Sequence, residues 1–315
     1  MYKLILFLLL LFSSGFAADQ FITYEFSGGR FGDQLLSYLH AKWLAHRHQM
    51  TLLYKPFQYS TELTLSDKEI QYTHSYLRSR FRVQLGQGQL DPHSPHSTLY
   101  ICPYFPEDKD ELIRAPYGPY SFHIDVDWKD EEFRKIALEL IAPKKPLQLI
   151  EPPKDTVNIA IHVREGGGYD PDSFRTELPL KLPPLSFYFE AFPMILDHFR
   201  GLPIYCHIFT DSQKPEELVK AFKQLVPPNL DVTFGCRKQF NRHNSNVLID
   251  FFSLFNFDVL IRSQSNFSLL PSLLHDFALV HCPTGFSLSG KTVTIEKAET
   301  LIHDELYQTL IRGKQ

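Results

Sequence analysis

Apolar and polar positions in the second half of the chain predict short strands that alternate with helices. Each predicted strand is a short apolar run bounded by turn residues: 157–163, 203–210, 231–236, 258–261 and 277–281. Each predicted helix has apolar residues that recur at helical spacing: 185–199, 215–225, 246–255 and 267–275. Regular alternation of this kind is typical of an α/β fold built on a doubly wound parallel sheet.

The first half of the chain shows a similar but less regular pattern. An apolar run at 21–26 predicts a strand, and apolar residues recur at helical spacing after the glycine turn that follows it. Further strands are predicted at 51–54 and 98–103, and a helix is predicted at 130–141. The pattern elsewhere between 60 and 127 is poor. We therefore expect a second α/β unit with a less regular middle section.

Length and composition favour two domains. A chain of 315 residues with 43% hydrophobic residues exceeds the size at which a single core usually stops growing. The segment 142–155 is rich in proline and charge and lacks periodicity, which is typical of a linker. We expect a Rossmann-like N-terminal domain at 19–150 and a Rossmann-like C-terminal domain at 151–315.

The formal net charge of −4, without a basic run, argues against a nucleic-acid partner.

The first residues, 1–18, have the pattern of a signal peptide. Lys3 precedes the apolar run 4–12, and Gly15-Phe16-Ala17 is a small-residue cleavage pattern. The run is shorter than the roughly 20 residues needed to span a bilayer. We expect export through the secretory pathway, to a periplasm, an organelle lumen or the cell exterior, with no stable membrane span after cleavage. An uncleaved signal that anchors the chain to a membrane is the alternative.

The four cysteines form an even number in a compartment that is expected to be oxidising, so one or two disulfides are compatible with the sequence. Cys206 and Cys282 lie in apolar, strand-like runs, where a buried free thiol is the favoured interpretation. The spacing of the cysteines does not match a metal site.

Two glycine turns each follow a predicted strand. Gly28 and Gly29 precede a predicted helix, a layout that directs backbone N–H groups and the positive end of the helix dipole at a ligand. The strand 157–163 leads into Arg164 and then into the glycines 166–168. A guanidinium group matches two phosphate oxygens, and glycine allows close approach of the backbone to an anion. This pattern predicts a phosphate site at Arg164, with a surface arginine before a flexible turn as the alternative.

Polar residues also follow other strands of the predicted second sheet. Asp211 and Ser212 follow the strand 203–210, and a serine-rich run, 263–268, follows the strand 258–261. The carboxyl ends of parallel strands meet at one edge, which is the usual ligand crevice of such a sheet. We therefore expect these residues to lie near Arg164.

The chain resembles the fucosyltransferase superfamily, which comprises α1,2-, α1,6- and protein O-fucosyltransferases. Three sets of residues carry the resemblance: Gly29-Arg30-Phe31-Gly32-Asp33-Gln34, Ile161-His162-Val163-Arg164, and Thr210-Asp211-Ser212 with Asp250 and Ser263-Gln264-Ser265-Asn266-Phe267-Ser268. They resemble the family's Gly-Arg-Phe-Gly-Asn-Gln turn, its His-x-Arg strand, and its run of aspartates followed by Ser-x-Ser-x-Phe-Ser at a helix start. The resemblance implies a GT-B fold of two Rossmann-like domains, with an acceptor-side first domain and a GDP-sugar-binding second domain.

The resemblance also implies roles for single residues. Arg164 would neutralise charge on the diphosphate as the fucosyl bond breaks, in place of a metal ion. Separately from the resemblance, Asp172 and Glu177 follow the glycine turn at a distance from which one of these carboxylates could activate an acceptor hydroxyl, and a solvated loop acid is the favoured alternative for each. The residues implied in donor binding are Gly29, Arg30, Gly32, Asp33, Gln34, His162, Asp211, Asp250, Ser265, Asn266, Phe267 and Ser268. The expected donor is GDP-fucose, without a metal or another cofactor, and the expected acceptor is a glycan or a protein.

Two positions depart from the family pattern. Glu165 stands where the α1,2 and α1,6 branches carry a second arginine, so the protein O-fucose branch is the nearer model. Asp33 stands where the family has Asn. The function implied is an inverting transfer of L-fucose from GDP-fucose to a hydroxyl group. A non-catalytic binding relative and a transferase of another sugar are the alternatives.

Asp125-Val126-Asp127 also matches the Asp-x-Asp pattern of metal-dependent glycosyltransferases, although no nucleotide-binding context precedes it.

Overall fold

The computed structural model describes residues 19–26, 28–77, 80–85, 89–103, 126–239 and 241–314. Two β-sheets with flanking helices form the molecule, one before and one after the predicted linker, which confirms the expected α/β class. The predicted signal peptide, 1–18, lies outside the described residues. Within these ranges, no helix combines the length and apolar character needed to cross a membrane.

The first sheet is parallel and has the strand order β3-β2-β1-β5-β4. Its strands are β1 (Gln20–Tyr24), β2 (Thr51–Tyr54), β3 (Ile70–Gln71), β4 (Phe81–Gln84) and β5 (Thr98–Cys102). The helices of this half are α1 (Phe31–Arg47), α2 (Leu65–Lys68) and α3 (Glu131–Ile141). Asp130 caps α3, because its side chain accepts a hydrogen bond from the backbone N–H of Phe133.

The second sheet has the strand order β11-β10-β9-β6-β7-β8. Its strands are β6 (Val157–Val163), β7 (Ile204–Thr210), β8 (Val232–Cys236), β9 (Val259–Arg262), β10 (Leu279–Ser289) and β11 (Thr292–Ile302). The helices are α4 (Phe174–Glu177), α5 (Leu185–Asp197), α6 (Pro215–Gln224), α7 (Val247–Ser253), α8 (Asn266–Leu274) and α9 (Asp304–Lys314). The predicted elements of this half are confirmed to within a few residues, except at its C-terminal end.

The expectation of a wholly parallel second sheet is wrong at one edge. Strand β10 continues to Ser289, and β11 pairs with it in antiparallel orientation. A two-residue turn joins them, in which Gly290 has a φ of 63°, and glycine adopts such left-handed conformations readily. Most residues of β11 are exposed, so the strand lacks the apolar run that marks a buried strand in sequence.

Strand β6 is buried on both faces, which explains its nearly continuous apolar sequence. Val157, Ile159, Ile161 and Val163 pack in one core cluster together with residues of α5 and α6. Ala160 packs on the opposite face with Phe209, Leu254, Phe257 and Leu260. The alternation follows from the period of two along a strand.

The two halves share part of one core. Residues of α1 pack with β1, β2 and β5 in a cluster that also contains Leu248 and Phe251 of α7 and Leu270 and Leu274 of α8. Phe31 contacts Phe251 edge to face, with ring centroids 5.2 Å apart. This apolar contact places the start of α1 against the second half of the chain. The domain boundary near 150 stays a prediction.

The four cysteines are free thiols in this structure, and Cys102, Cys206 and Cys282 are buried. Burial raises the pKa of each of these three thiols, so they remain protonated at neutral pH. The interpretation of Cys206 and Cys282 as buried thiols agrees with their positions on β7 and β10.

Candidate functional site

Both sheets reverse the direction of their strand order beside the first strand. β1 lies between β2 and β5, and β6 lies between β7 and β9. Ligands of open parallel sheets bind at the carboxyl ends of the strands at such a reversal. The segments after β1, β6 and β9 meet at one cleft. We call it the main cleft.

The main cleft contains most of the residues that the sequence motifs single out. Those that line it are Arg30, Gly32, Asp33, His162, Arg164, Asp211, Asp250, Ser265 and Phe267. Further lining residues, not predicted from sequence, include Gln58, Phe209, Thr210, Asn241, Arg242, His243 and Ser245. The motifs therefore converge in space although they are far apart in sequence.

The remaining predicted residues lie around the main cleft. Gly29 and Gln34 line an adjoining cleft, which is also lined by Arg30, Gln58 and His243. Asn266 and Ser268 are buried and do not line the main cleft. Asp172 is exposed and lines neither cleft.

The glycines of the first motif are required by close packing. A β-carbon at position 32 would lie 2.6 Å from the backbone nitrogen of Phe267, and one at position 29 would lie 2.1 Å from Oδ2 of Asp33. The backbone at the start of α8 cannot rotate away as a flexible side chain could. Gly32 therefore allows the N-terminal ends of α1 and α8 to touch beside the main cleft. Both helix dipoles place partial positive charge there.

Asp33 connects the two helix starts. Its Oδ1 accepts a 2.6 Å hydrogen bond from Nδ2 of Asn266, and its Oδ2 accepts one of 3.2 Å from the backbone N–H of Arg30. Nζ of Lys181 lies 3.5 Å from the same Oδ2. The carboxylate of Asp33 thus has a cation beside it, and Asn266 links the start of α8 to α1.

Replacement of Gly32 by Ala is expected to lower the free energy of unfolding by about 1–3 kcal/mol, because the added methyl group must push α1 away from α8. Urea denaturation measures this loss. Gly313→Ala is the control, because nothing lies within 4 Å of a β-carbon at that position in α9. Equal stability of the Gly32→Ala protein and the control would contradict the close packing of the two helix starts.

Two arginines from different halves of the chain converge beside the helix starts. Nη2 of Arg30 lies 3.1 Å from Oδ2 of Asp170, and Nη2 of Arg164 forms an ion pair with the same oxygen. Nη1 of Arg164 lies 3.5 Å from Oγ of Ser265. Among the described residues, the buried Nε of Arg164 has no hydrogen-bond partner. Both guanidinium groups line the main cleft, where they favour an anionic ligand.

His162 is a neutral hydrogen-bonding group at neutral pH. Burial lowers its pKa to about 4, which the nearby Asp211 opposes, while Arg262 and Arg30 lower it further. Its Nδ1 lies 2.8 Å from Oγ of Ser268. Ser268 does not line the cleft, and its contact with Nδ1 fixes the orientation of the imidazole ring.

Asp211 holds the turn that follows β6. Its Oδ1 accepts a 2.6 Å hydrogen bond from the backbone N–H of Glu165. Gly166, Gly167 and Gly168 have φ values of 97°, 57° and 71°, and this left-handed run explains why glycine occupies all three positions. A β-carbon at position 167 would lie 3.1 Å from Cβ of Asp211. Glu165 is not among the residues that line the main cleft.

Asp250, which lines the main cleft, belongs to a second ion pair. Arg237, just after β8, forms an ion pair with Asp250 of α7. Burial raises the pKa of Asp250, and the charge of Arg237 opposes this shift. Nδ2 of Asn241 donates a 2.6 Å hydrogen bond to the carbonyl oxygen of Arg237. The sequence analysis missed this segment, although its position after the predicted strand 231–236 marks it as part of the same sheet edge.

No family model and no curated protein matches this sequence. Among solved structures, the chain is similar to POFUT1 in complex with GDP-fucose, with 11% identity, a TM-score of 0.41 and coverage of 84% of this chain and 96% of that chain. Fucosyltransferase NodZ from Bradyrhizobium shows 14% identity and a TM-score of 0.46, with coverage of 89% and 99%. A variant of Arabidopsis thaliana FUT1 in complex with GDP shows 14% identity and a TM-score of 0.44, with coverage of 89% and 74%.

These three structures belong to the class that the motifs resemble. Identities of 11–14% and TM-scores below 0.5 do not determine the activity of this chain.

Proposed function

We propose that this chain is a glycosyltransferase that moves L-fucose from GDP-fucose to a hydroxyl group of a glycan or protein, with inversion. One observation carries the proposal. Arg30 and Arg164, from the two halves of the chain, line one cleft beside the touching N-terminal ends of α1 and α8. Guanidinium groups and helix N-termini are the groups with which proteins bind a diphosphate.

The same groups support the chemistry of the transfer. When the bond between the sugar and the diphosphate breaks, negative charge grows on the leaving oxygen. Arg164 and the backbone amides at the start of α8 offset this charge without reorganisation, which lowers the barrier. The hydroxyl of Ser265 lies beside Arg164 and offers a further hydrogen bond. Charge neutralisation is thereby assigned to the protein's own residues, and the proposed reaction is independent of a metal.

The nucleoside part is proposed to bind toward Asp250 and Asp211. Both carboxylates line the main cleft and accept hydrogen bonds, which suits ribose hydroxyls and the N–H groups of guanine. The adjoining cleft shares Arg30, Gln58 and His243 with the main cleft, and we assign the acceptor to it. The assignment of Asp172 as the base that activates the acceptor stays a prediction, because the residue lines neither cleft.

A panel of nucleotides tests the donor. A ligand at a hundredfold excess over its dissociation constant stabilises the folded state by about 2.7 kcal/mol, so GDP and GDP-fucose are expected to raise the melting temperature by several degrees. UDP, UDP-glucose and CMP are the controls. A shift with the UDP or CMP ligands and none with GDP would reject the proposed donor.

Chelation tests the proposed independence from metal in the same samples. Turnover is expected to survive EDTA, because Arg164 and helix amides supply the positive charge. Loss of turnover that manganese restores would instead favour Asp125 and Asp127 as metal ligands. Asp125 lies outside the described residues.

A further inference from the structure

Asp170 contacts both arginines of the main cleft. Its Oδ2 is the oxygen that both Arg30 and Arg164 contact, and its side chain is 6% exposed. Arg30 and Arg164 line the main cleft, whereas Asp170 does not. The carboxylate is therefore shielded from solvent and contacts both guanidinium groups.

The glycine turn after β6 places Asp170 in this position. The backbone N–H of Asp170 donates a 3.1 Å hydrogen bond to the carbonyl oxygen of Gly166. A β-carbon at position 166 would lie 3.4 Å from Cβ of Asp170. The left-handed run of glycines thus folds the chain back on itself, so that a residue six positions after Arg164 reaches its guanidinium group.

The electrostatics of the group require such a carboxylate. Two guanidinium groups that face one ligand repel each other, and Arg30 and Arg164 come from opposite halves of the chain. One buried carboxylate between them offsets this repulsion and orients both planar groups through Nη2 alone. Burial raises the pKa of Asp170, which Arg30 and Lys181 oppose, while Asp211 and Asp33 raise it further.

A further contact from the same segment fixes Arg30. Tyr169 lies with its ring centroid 5.1 Å from the guanidinium carbon of Arg30. The ring of Tyr169 also packs against the ring of His243, and the two centroids are 4.5 Å apart. The segment that carries Asp170 therefore bridges Arg30 in the first half to the loop after β8 in the second half.

We propose that Asp170 is a positioning residue of the diphosphate site, which holds Arg30 and Arg164 in the orientation that binds the two phosphates. This inference rests on the proposed function for the identity of the nucleotide. It does not depend on the nucleotide for its test, because inorganic pyrophosphate presents the same charged groups without guanosine.

The test compares Asp170→Asn with wild type by isothermal titration calorimetry against pyrophosphate and GDP, and by ligand-observed NMR titration against guanosine. The amide keeps the size of the side chain but loses the charge that holds two cations. Residues that support a binding group are worth roughly 10- to 100-fold in affinity by analogy with metal sites. We expect at least a tenfold loss of affinity for pyrophosphate and GDP, and guanosine binding within twofold of wild type.

Matched variants separate positioning from a general structural role. Asp197→Asn removes an exposed ion pair with Arg200 and is expected to leave all three affinities unchanged. Asp170→Glu keeps the charge and should restore part of the lost pyrophosphate affinity. A loss of guanosine binding equal to the loss of GDP binding would assign Asp170 to folding and overturn the inference.

Other outcomes are equally decisive. Unchanged or tighter pyrophosphate binding in Asp170→Asn would overturn the inference, because tighter binding means that the carboxylate competes with the ligand. A wild-type protein that binds pyrophosphate but not GDP would reject the proposed donor, and the effect of Asp170→Asn on pyrophosphate would still decide the role of Asp170. A wild-type protein that binds neither ligand would overturn both proposals.

Discussion

Arg164→Ala is expected to lower the turnover of GDP-fucose by a factor of about 10² to 10³, which is the usual cost of removing one preorganised donor from a developing negative charge. The side chain lines the main cleft and is 10% exposed. Its removal also leaves Asp170 with one cation fewer in a buried position. Steady-state kinetics of donor consumption measure the effect.

Three further variants test whether a loss of turnover is specific to the guanidinium group of Arg164. Arg164→Lys keeps the charge but not the planar fork, so it should recover only part of the turnover. Arg200→Ala removes an exposed arginine that also pairs with an aspartate, and should change stability by no more than about 0.5 kcal/mol. Glu165→Arg should be nearly silent, because Glu165 does not line the main cleft. Turnover and GDP binding of Arg164→Ala at wild-type levels would reject the assignment of the phosphate site.

Strands of the second sheet could be predicted from sequence because burial of both strand faces leaves a short run of apolar residues in the chain. Strand β6 has an apolar residue at nearly every position since both of its faces are covered. Strand β11 gives no such signal, because most of its residues are exposed at the sheet edge. Its pairing depends on β10 alone, and a hairpin at an edge needs no buried run.

The meeting of Arg164 and Asp211 in one cleft could be predicted because strand ends are local features. Arg164 and Asp211 directly follow strands, so their meeting at one edge follows from the parallel order. The contact between Arg30 and Asp170 joins residues 140 positions apart. It depends on how α1 packs against the second half, which no periodicity in the sequence encodes.

The charged environment of Asp33 also depends on tertiary contacts that the sequence pattern does not reveal. In sequence, Asp33 departs from the pattern that the chain resembles and adds a negative charge close to the proposed donor sugar. In the structure, its carboxylate accepts a hydrogen bond from Asn266 and lies 3.5 Å from Nζ of Lys181. Lys181 lies between Pro179 and Pro183 and belongs to no motif, so the compensating charge could be found only from the tertiary structure.

Buried histidines are expected to make the fold sensitive to acid. Burial lowers the pKa values of His40, His162 and His207 to about 4. A pKa that is lower in the folded than in the unfolded state contributes stability above the unfolded pKa of about 6.5, and this stability is lost as the pH falls toward 4. Each histidine then accounts for about 2 kcal/mol between pH 7 and pH 5. Asp170 and Asp250, whose pKa values are raised by burial, act in the opposite direction and reduce the total.

Urea denaturation at pH 7 and pH 5 is therefore expected to show a loss of several kcal/mol in the free energy of unfolding. His40→Gln isolates one contribution, because His40 is buried on α1 and does not line the main cleft. The difference between the two pH values should shrink by about 2 kcal/mol in this variant. His93→Gln, at an exposed position, serves as the control. Equal stability of the wild-type protein at both pH values would mean that the buried imidazoles gain a proton without unfolding, and would contradict their desolvation in the folded state.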